Sequence, residues 1–290
     1  MKKSIVIGVL CHKGGVAKTS TAVALADSLT AADPNKKVLL IDCDEQANIK
    51  TLFGVKSLNA EEHGIASVLL RNIHPSKLIT NVRPQIDIIL SGGRMMREFE
   101  KFYANSYDSE LILKKQMNSF ESEYDYVIID SPPALSLISA NIVMYADYCL
   151  IPCTTDLLAV VGLKSTLFFL ENLENHFQSK DISPCKVLGV VPTMYSQRRN
   201  LDMTILDDLQ RMADANLMHG GIVFDPIRSD SKVKTAQVKR KLLSEAFPKC
   251  NAREDYRKLC SDILDRIQTL ESSNTHHVNQ TREFSSHPLN

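Results

Sequence analysis

Short apolar runs, rich in β-branched side chains, recur along the chain between longer segments with the period of a helix. Most of these runs are apolar at every position rather than at every second one, which is typical of parallel strands covered on both faces. The predicted strands are residues 4–10, 37–42, 85–90, 124–130, 147–152, 186–191 and 221–224. Helical patterns such as 21–32 and 203–217 lie between them. This alternation predicts an α/β fold: a doubly wound, mostly parallel sheet with helices on both faces and ligands at the carboxyl ends of the strands.

The pattern predicts one domain over residues 1–270 and a polar tail over 271–290. The tail, ESSNTHHVNQTREFSSHPLN, shows no period and has the composition of a disordered segment. No apolar run approaches the roughly 18 to 20 residues of a membrane span. The first apolar run passes directly into a glycine-rich loop, without the small-residue cleavage site of a signal peptide. We therefore expect a soluble, cytoplasmic protein.

Composition narrows the classes of function. Thirty-four basic and 34 acidic residues cancel, so an affinity for nucleic acid must come from a local basic patch. The seven cysteines form no C-x-x-C pair, and the eight histidines have no metal-ligand spacing. We expect buried free thiols in a reducing compartment and no structural zinc site.

The loop CHKGGVAKTST departs from the common phosphate-binding pattern G-x-x-x-x-G-K-[ST], because His12 and Ala17 stand where the two glycines belong. It nevertheless lies between a predicted strand and a predicted helix. Glycines allow the backbone to wrap around phosphate, and the helix N-terminus directs N–H groups at the anion. Lys18 is expected to reach the β- and γ-phosphates and Thr19 to bind Mg²⁺. The loop residues predicted to hold the nucleotide are Lys13, Gly14, Gly15, Val16, Ala17, Lys18, Thr19 and Ser20.

Carboxylates follow two further strands. Asp42 and Asp44 lie at the end of the second strand, so they face the same edge of the sheet as the loop. Asp44 is a candidate for holding the metal shell and the attacking water, whereas Asp42 could equally be a structural partner of the loop. Asp130 ends an apolar strand, where a carboxylate can hold Mg²⁺ through water. Two prolines, Pro132 and Pro133, follow Asp130 closely, which makes a simple helix cap less expected.

The motifs KGGVAKTS, IDCDEQAN and VIIDSPP, in this order, resemble those of the deviant Walker A ATPases of the ParA/MinD group. The later segments GVVPTMYSQRRNL and PIRSDSKVKTAQ resemble those of the ParA branch, and the resemblance covers about residues 3–265. It implies a ParA-like ATPase domain that uses ATP and Mg²⁺ and forms a homodimer with ATP sandwiched between two chains. The family usually has glycine where this chain has Ala17, so we expect some crowding of the loop by the methyl group.

The resemblance also implies roles for single residues. Lys13 corresponds to the lysine that reaches across the dimer to the partner's nucleotide, and Lys18 to the one that holds phosphate. Asp44 corresponds to the hydrolytic carboxylate and Asp130 to the Walker B aspartate. The implied catalytic residues are Lys13, Lys18 and Asp44, and the implied metal-binding residues are Thr19, Asp44 and Asp130. The base is expected near Thr193, Met194 and Pro226.

Relatives of this fold perform other functions that the sequence can be compared with. Iron–sulfur members carry a cysteine shortly after the Walker B strand, but residues 131–133 here are Ser-Pro-Pro, which argues against electron transfer. MinD-like members end in a basic amphipathic helix that lies on membrane. Residues 254–270 are amphipathic but carry mixed charges, so we expect no membrane partner. Tyrosine kinases of this fold carry a C-terminal tyrosine cluster, and the last tyrosine here is Tyr256.

Basic residues collect at 228–241 and at Arg198. The predicted DNA-binding residues are Arg198, Lys232, Lys234, Lys239 and Arg240. We expect non-specific binding to double-stranded DNA, because the loop begins too early for an N-terminal helix-turn-helix. The predicted protein is a nucleoid-associated partition ATPase stimulated by a ParB-type adaptor. The alternatives are a ParA-like positioning ATPase for a non-DNA cargo and a MinD-like membrane-associated regulator.

Overall fold

The computed structural model describes residues 4–55, 64–118, 120, 123–180 and 182–284. One eight-stranded sheet with the order β3-β4-β2-β5-β1-β6-β7-β8 forms its centre, and every neighbouring pair is parallel except β3 with β4. The strands are β1 Ile5–Val9, β2 Val38–Asp42, β3 Thr80–Arg83, β4 Ile86–Ile89, β5 Tyr126–Asp130, β6 Tyr148–Thr154, β7 Lys186–Thr193 and β8 Ile222–Val223.

Helices connect the strands and cover the sheet. They are α1 Lys18–Ala32, α2 Asn48–Phe53, α3 Ile65–Arg71, α4 Met95–Tyr103, α5 Ile112–Met117, α6 Leu137–Tyr145, α7 Leu157–Phe177, α8 Asn200–Asp214, α9 Ser231–Val238, α10 Leu243–Ala246 and α11 Asn251–Phe284. Within the described ranges, no helix combines the length and apolar character needed to cross a membrane.

The sheet separates two apolar cores. On one face, side chains from β1, β2, β5 and β6 pack against α3 to α8. On the other face, the alternate side chains of the same strands pack against α1, α2 and α9 to α11. The strands are apolar throughout because both faces are covered, as the sequence pattern indicates. The doubly wound α/β prediction is confirmed.

All seven predicted strands are present, with ends shifted by a few residues. The additional edge strand β3 was not predicted, because its sequence TNVR is largely polar and only partly buried. Helix α11 continues beyond Glu271, where the polar composition begins, to Phe284. Neither glycine nor proline occurs between 251 and 284, so nothing in the backbone chemistry ends the helix near 270. The last six residues of the predicted tail lie outside the described residues.

The central position of β1 determines where the site forms. β1 lies between β5 and β6, and β2 pairs with the other side of β5. The segments that leave the carboxyl ends of these four strands therefore meet at one edge of the sheet. Asp42 and Asp130 are register partners there, as are Val9 and Asp130.

Candidate functional site

The glycine-rich loop after β1 is open where a ligand would approach. A Cβ atom added to Gly14 or Gly15 would meet no atom within 4 Å, and Gly15 has a φ of +79°. Ala17 has a φ of 67° and immediately precedes α1. Alanine at this position also has a consequence that the sequence did not indicate. It is the left-handed backbone, which costs an L-residue about 1 kcal/mol and glycine almost nothing.

Lys18 lies inside this loop and is almost fully buried. Its Nζ donates to the carbonyl oxygens of Lys13, at 2.7 Å, and of Cys11, at 3.2 Å. Burial lowers the pKa of Lys18, against the opposing effects of Cys11 and of the nearby carboxylates of Asp130 and Asp44. The ammonium group thus bonds the concave side of the loop, where an anion would offer it stronger, charge-assisted hydrogen bonds.

The structure separates the roles of the two aspartates after β2. Asp42 is fully buried and accepts hydrogen bonds from the backbone N–H groups of Asp44, at 3.0 Å, and Ile49, at 3.2 Å. Asp42 therefore fixes the turn that carries Asp44. Asp44 faces the cleft described below, and one of its oxygens accepts from the N–H of Gln46 at 3.0 Å.

Asp130 is a buried carboxylate beside the loop. Neither of its oxygens accepts a well-formed hydrogen bond from any described residue. Burial raises the pKa of Asp130 to about 7, although Thr19 and Lys18 lie close enough to lower it in part. An unsatisfied buried carboxylate is unfavourable unless a cation or donor compensates for it. Thr19 and Asp130 thus fit a hard cation such as Mg²⁺, which prefers oxygen ligands.

A cleft of about 360 Å³ lies between the loop and Asp44. Eight predicted residues line it: Gly14, Gly15, Ala17, Lys18, Thr19, Ser20, Asp44 and Met194. Asn48 and Pro133 also line it and were not predicted as site residues, although both lie within or directly after quoted motifs. A second cavity of about 340 Å³ shares Ala17, Ser20 and Met194 with the first, so the two spaces adjoin. We refer to them as the phosphate cleft and the nucleoside cavity.

The nucleoside cavity contains part of the predicted base site. Thr193 and Met194 line it, and the Thr193 hydroxyl donates to the carbonyl of Val16 at 3.1 Å, which fastens the end of β7 to the loop. Met194 has a φ of 56°, an uncommon backbone conformation for such a side chain. Pro226 does not line the cavity, whereas its neighbour Ile227 does. Val16 is buried in the core, so it can offer a ligand only its backbone.

Lys13 does not point into its own cleft. Its Nζ lies 2.6 Å from Oδ1 of Asp156, the residue that precedes α7. Asp156 also accepts from the N–H of Ala159 at 2.9 Å and from the hydroxyl of Thr154 at 2.6 Å. Partial burial alone would raise the pKa of Asp156, but these hydrogen bonds lower it. Asp156 was not singled out in the sequence, where an aspartate just before an apolar helix indicates only an N-cap.

Helix α7 also packs tightly against the loop. A Cβ on Gly162 would lie 2.7 Å from the carbonyl oxygen of His12 and 3.2 Å from Cβ of Lys13. The backbone N–H of His12 donates to the hydroxyl of Thr166 at 2.9 Å. The position of the loop therefore depends on α7 as well as on β1.

All five predicted DNA-binding residues are exposed, but their surroundings differ. Arg198 and Lys232 are exposed, and Tyr195 forms a parallel bridge with Arg228, which brings their two segments side by side. Lys239 lies over the ring of Phe247, 5.0 Å from its centroid. Arg240 and Lys234 of the predicted set, and the nearby Arg228, each contact a different part of the molecule. Arg228 pairs with Asp255, Arg240 packs against Gly54, and Lys234 lines the nucleoside cavity.

A glycine-rich loop at the end of a central parallel strand, with carboxylates on the neighbouring strand ends, defines a P-loop nucleotide-binding protein. A family model described as an AAA domain matches residues 4–182. A ParA family protein of Chlamydia pneumoniae is 30% identical to this chain, over 91% of this chain and 99% of its own length. The chain belongs to the ParA family of P-loop ATPases.

Solved structures agree with this fold. A plasmid partition protein of Borrelia burgdorferi is 25% identical, with a TM-score of 0.69 over 92% of this chain and 99% of its own. An ATP complex of McdA from Cyanothece is 22% identical and has a TM-score of 0.76 over 91% of this chain and 98% of its own.

Proposed function

We propose that this protein is a partition ATPase that binds ATP and Mg²⁺, closes into a homodimer around the nucleotide, and then binds DNA without sequence preference. The observation that carries the proposal is the division of the loop's two lysines. Lys18 lies inside the phosphate cleft, whereas Lys13 is held outside it by Asp156. The loop thus places one cation in its own cleft and a second one outside it. This arrangement is expected of a site that two chains complete together.

The residues of the cleft have distinct tasks in this proposal. The backbone of Gly14 and Gly15 wraps the phosphates, and Lys18 neutralises the β- and γ-phosphates. Thr19 and Asp130 hold Mg²⁺, which when bound neutralises charge on the phosphate oxygens. Asp44 orients the water that attacks the γ-phosphate. The ATP complex of McdA and the cavities adjoining at Ser20 support this placement of the nucleotide.

The surface beside Lys13 supports dimerisation. Leu157, Leu158 and Val161, in the first turns of α7, are 70%, 71% and 60% exposed. Apolar side chains clustered on a surface are typical of a contact with another protein. When a second chain covers this surface, Lys13 can exchange Asp156 for the partner's nucleotide, where a cation stabilises the charge that develops during hydrolysis.

The proposed DNA surface includes Arg198 and Lys232, because both are exposed and lie on neighbouring segments, whereas Lys234, which is also exposed, lines the nucleoside cavity. Both contact phosphates, which accounts for binding without sequence preference. The membership in the ParA family and the plasmid partition protein of Borrelia burgdorferi support DNA as the cargo. A ParB-type adaptor that stimulates hydrolysis, and a location on the nucleoid, complete the proposed cycle.

The test compares three alanine variants of the cleft in one set of assays. Lys18→Ala should lose ATP binding, because no other basic side chain among the described residues lines the cleft to neutralise the phosphates. Lys13→Ala should bind ATP but remain a monomer in size-exclusion chromatography with ATP and Mg²⁺. Asp44→Ala should bind ATP, remain a dimer and lose turnover.

Two results would contradict the proposal. Normal ATP affinity in Lys18→Ala would show that the nucleotide binds elsewhere. Dimerisation of Lys13→Ala at wild-type ATP concentrations would show that this lysine has no role across the interface.

A further inference from the structure

Helix α9 forms a wall of the nucleoside cavity. Val233, Lys234 and Gln237 line the cavity, and their spacing of three and four residues places them on one face of the helix. Lys232, which is exposed, and Val238, which is 84% exposed, do not line the cavity. The helix thus has an inner face that lines the nucleoside cavity, with Lys234 at its exposed margin, and an outer face toward solvent.

A hydrogen bond fixes the orientation of this inner face. Nε2 of Gln237 donates to Oγ of Ser20 at 2.9 Å, and Gln237 is half-buried. Ser20 lies in the first turn of α1, next to the proposed magnesium ligand Thr19. At the other end of α9, Asp230 accepts from the N–H of Lys232 at 2.9 Å and so caps the helix. Rotation of α9 away from the cavity would break the bond between Gln237 and Ser20.

The charges around the nucleoside cavity leave one cation available. Three charged side chains line it: Arg228, Asp230 and Lys234. Arg228 is neutralised by Asp255, with a contact of 2.6 Å, and Asp230 caps α9. Lys234 forms no ion pair with any of the residues that the structure describes. Its ammonium group is therefore free to meet an anion that occupies the adjoining space.

We propose that Lys234 is a nucleotide-binding residue, contacting the phosphate chain of ATP from the side of the nucleoside cavity, and that only Lys232 of these two lysines serves DNA. The inference rests on the proposed function, since it assumes that ATP occupies the two adjoining cavities. It changes the assignment that the basic run suggests, in which both lysines bind DNA. Because one short helix carries both, ATP binding on its inner face also orders the lysine that its outer face presents to DNA.

The experiment compares Lys234→Ala, Lys234→Arg and Lys232→Ala in the full chain carrying Asp44→Ala, so that ATP is not consumed. ATP affinity is measured by calorimetry with Mg²⁺ at two salt concentrations, and DNA affinity with a random duplex at saturating ATP. Lys234→Ala should weaken ATP binding about tenfold, with a shallower salt dependence, because a charged hydrogen bond is lost. Lys234→Arg should retain most of the affinity. Lys232→Ala should lose DNA binding instead.

Thr235→Ala, on the outer face of α9, is the control for effects on the helix, and nucleotide-free melting curves check that each variant folds. Wild-type ATP affinity in Lys234→Ala would overturn the inference. So would a loss of DNA binding in Lys234→Ala, at saturating ATP, as severe as in Lys232→Ala. The Asp44→Ala chain without a further substitution is the reference. If it binds ATP but no DNA, the proposed role in DNA partition is contradicted, while the ATP affinities still decide the role of Lys234. If it binds no ATP, both proposals fail.

Discussion

Asp130 makes the nucleotide-free protein less stable. Its folded pKa of about 7 lies above the ordinary value of about 3.9, so the folded protein binds more protons than the unfolded chain between these limits. The contribution of this group to stability is therefore fully present below about pH 4 and is lost as the pH rises through about 7. The full effect corresponds to roughly 4 kcal/mol, an upper limit for a single buried carboxyl group. A cation bound at Asp130 would remove this disadvantage.

We predict that Asp130→Asn raises the melting temperature of the nucleotide-free protein at pH 8 and has little effect at pH 5. The neutral amide has no ionisation to suppress, so its stability should depend less on pH. The same variant should lose the additional stabilisation that Mg²⁺ gives in the presence of ATP. Melting curves at the two pH values, with and without ATP and Mg²⁺, provide the test, and a variant less stable than wild type at pH 8 would contradict it.

Asp156 holds Lys13 in the unassembled chain, and this contact must break before the lysine can reach a partner. We predict that Asp156→Asn lowers the ATP concentration needed for dimerisation, because asparagine keeps the N-cap of α7 but not the ion pair. Partly exposed pairs contribute up to about 1 kcal/mol, so the dimer dissociation constant should fall about two- to fivefold. Sedimentation velocity across an ATP titration measures it.

Asp156→Ala is the matched control, since it removes the ion pair together with the cap. It should cost about 1 kcal/mol of stability in addition to releasing Lys13. If Asp156→Asn dimerises less readily than wild type, Asp156 supports the closed dimer and does not restrain the monomer.

Among the elements, α7 connects the loop to the rest of the fold. The helix and the loop approach closely at Gly162, and an added methyl group would meet the carbonyl of His12 at 2.7 Å. We predict that Gly162→Ala displaces the loop, costs about 1 to 3 kcal/mol of stability, and weakens ATP binding. Ser165→Ala, on the exposed side of the same helix, should change neither quantity. Unchanged ATP affinity in Gly162→Ala would show that the loop tolerates a shift of α7.

The whole molecule has zero net charge, so its overall charge does not attract DNA. DNA affinity therefore depends on how many basic side chains face the same duplex. A dimer presents Arg198 and Lys232 twice. Each phosphate contact adds about 0.9 to the slope of log affinity against log salt, so we predict a steeper slope with ATP than without it. Arg198→Glu and Lys232→Glu should abolish binding to random duplex while ATP-dependent dimerisation persists. Equal binding with ATP, ADP and no nucleotide would contradict the coupling.

The sequence was sufficient to predict the features that depend on residues close to one another in the chain. Strand ends, the glycine-rich loop and the carboxylates after β2 and β5 follow from periodicity and from the geometry of a parallel sheet. It was insufficient for contacts between distant segments, such as Lys13 with Asp156 and Ser20 with Gln237, whose partners are 143 and 217 residues apart. It was also insufficient to show that Lys234 lines the nucleoside cavity, because charge along a chain does not show which side of a helix faces a cavity.

The two margins of the sheet limit how copies of this protein could assemble. β3 has four residues and a register irregularity, and β8 has two, with Arg266 donating to the carbonyl of Gly220 just before it. Strands this short and irregular are poor templates for pairing with another chain. A polymer of this protein would therefore have to be joined through helical surfaces. Such a filament would lack the continuous cross-strand hydrogen bonds of amyloid, and it could come apart when its subunits change shape.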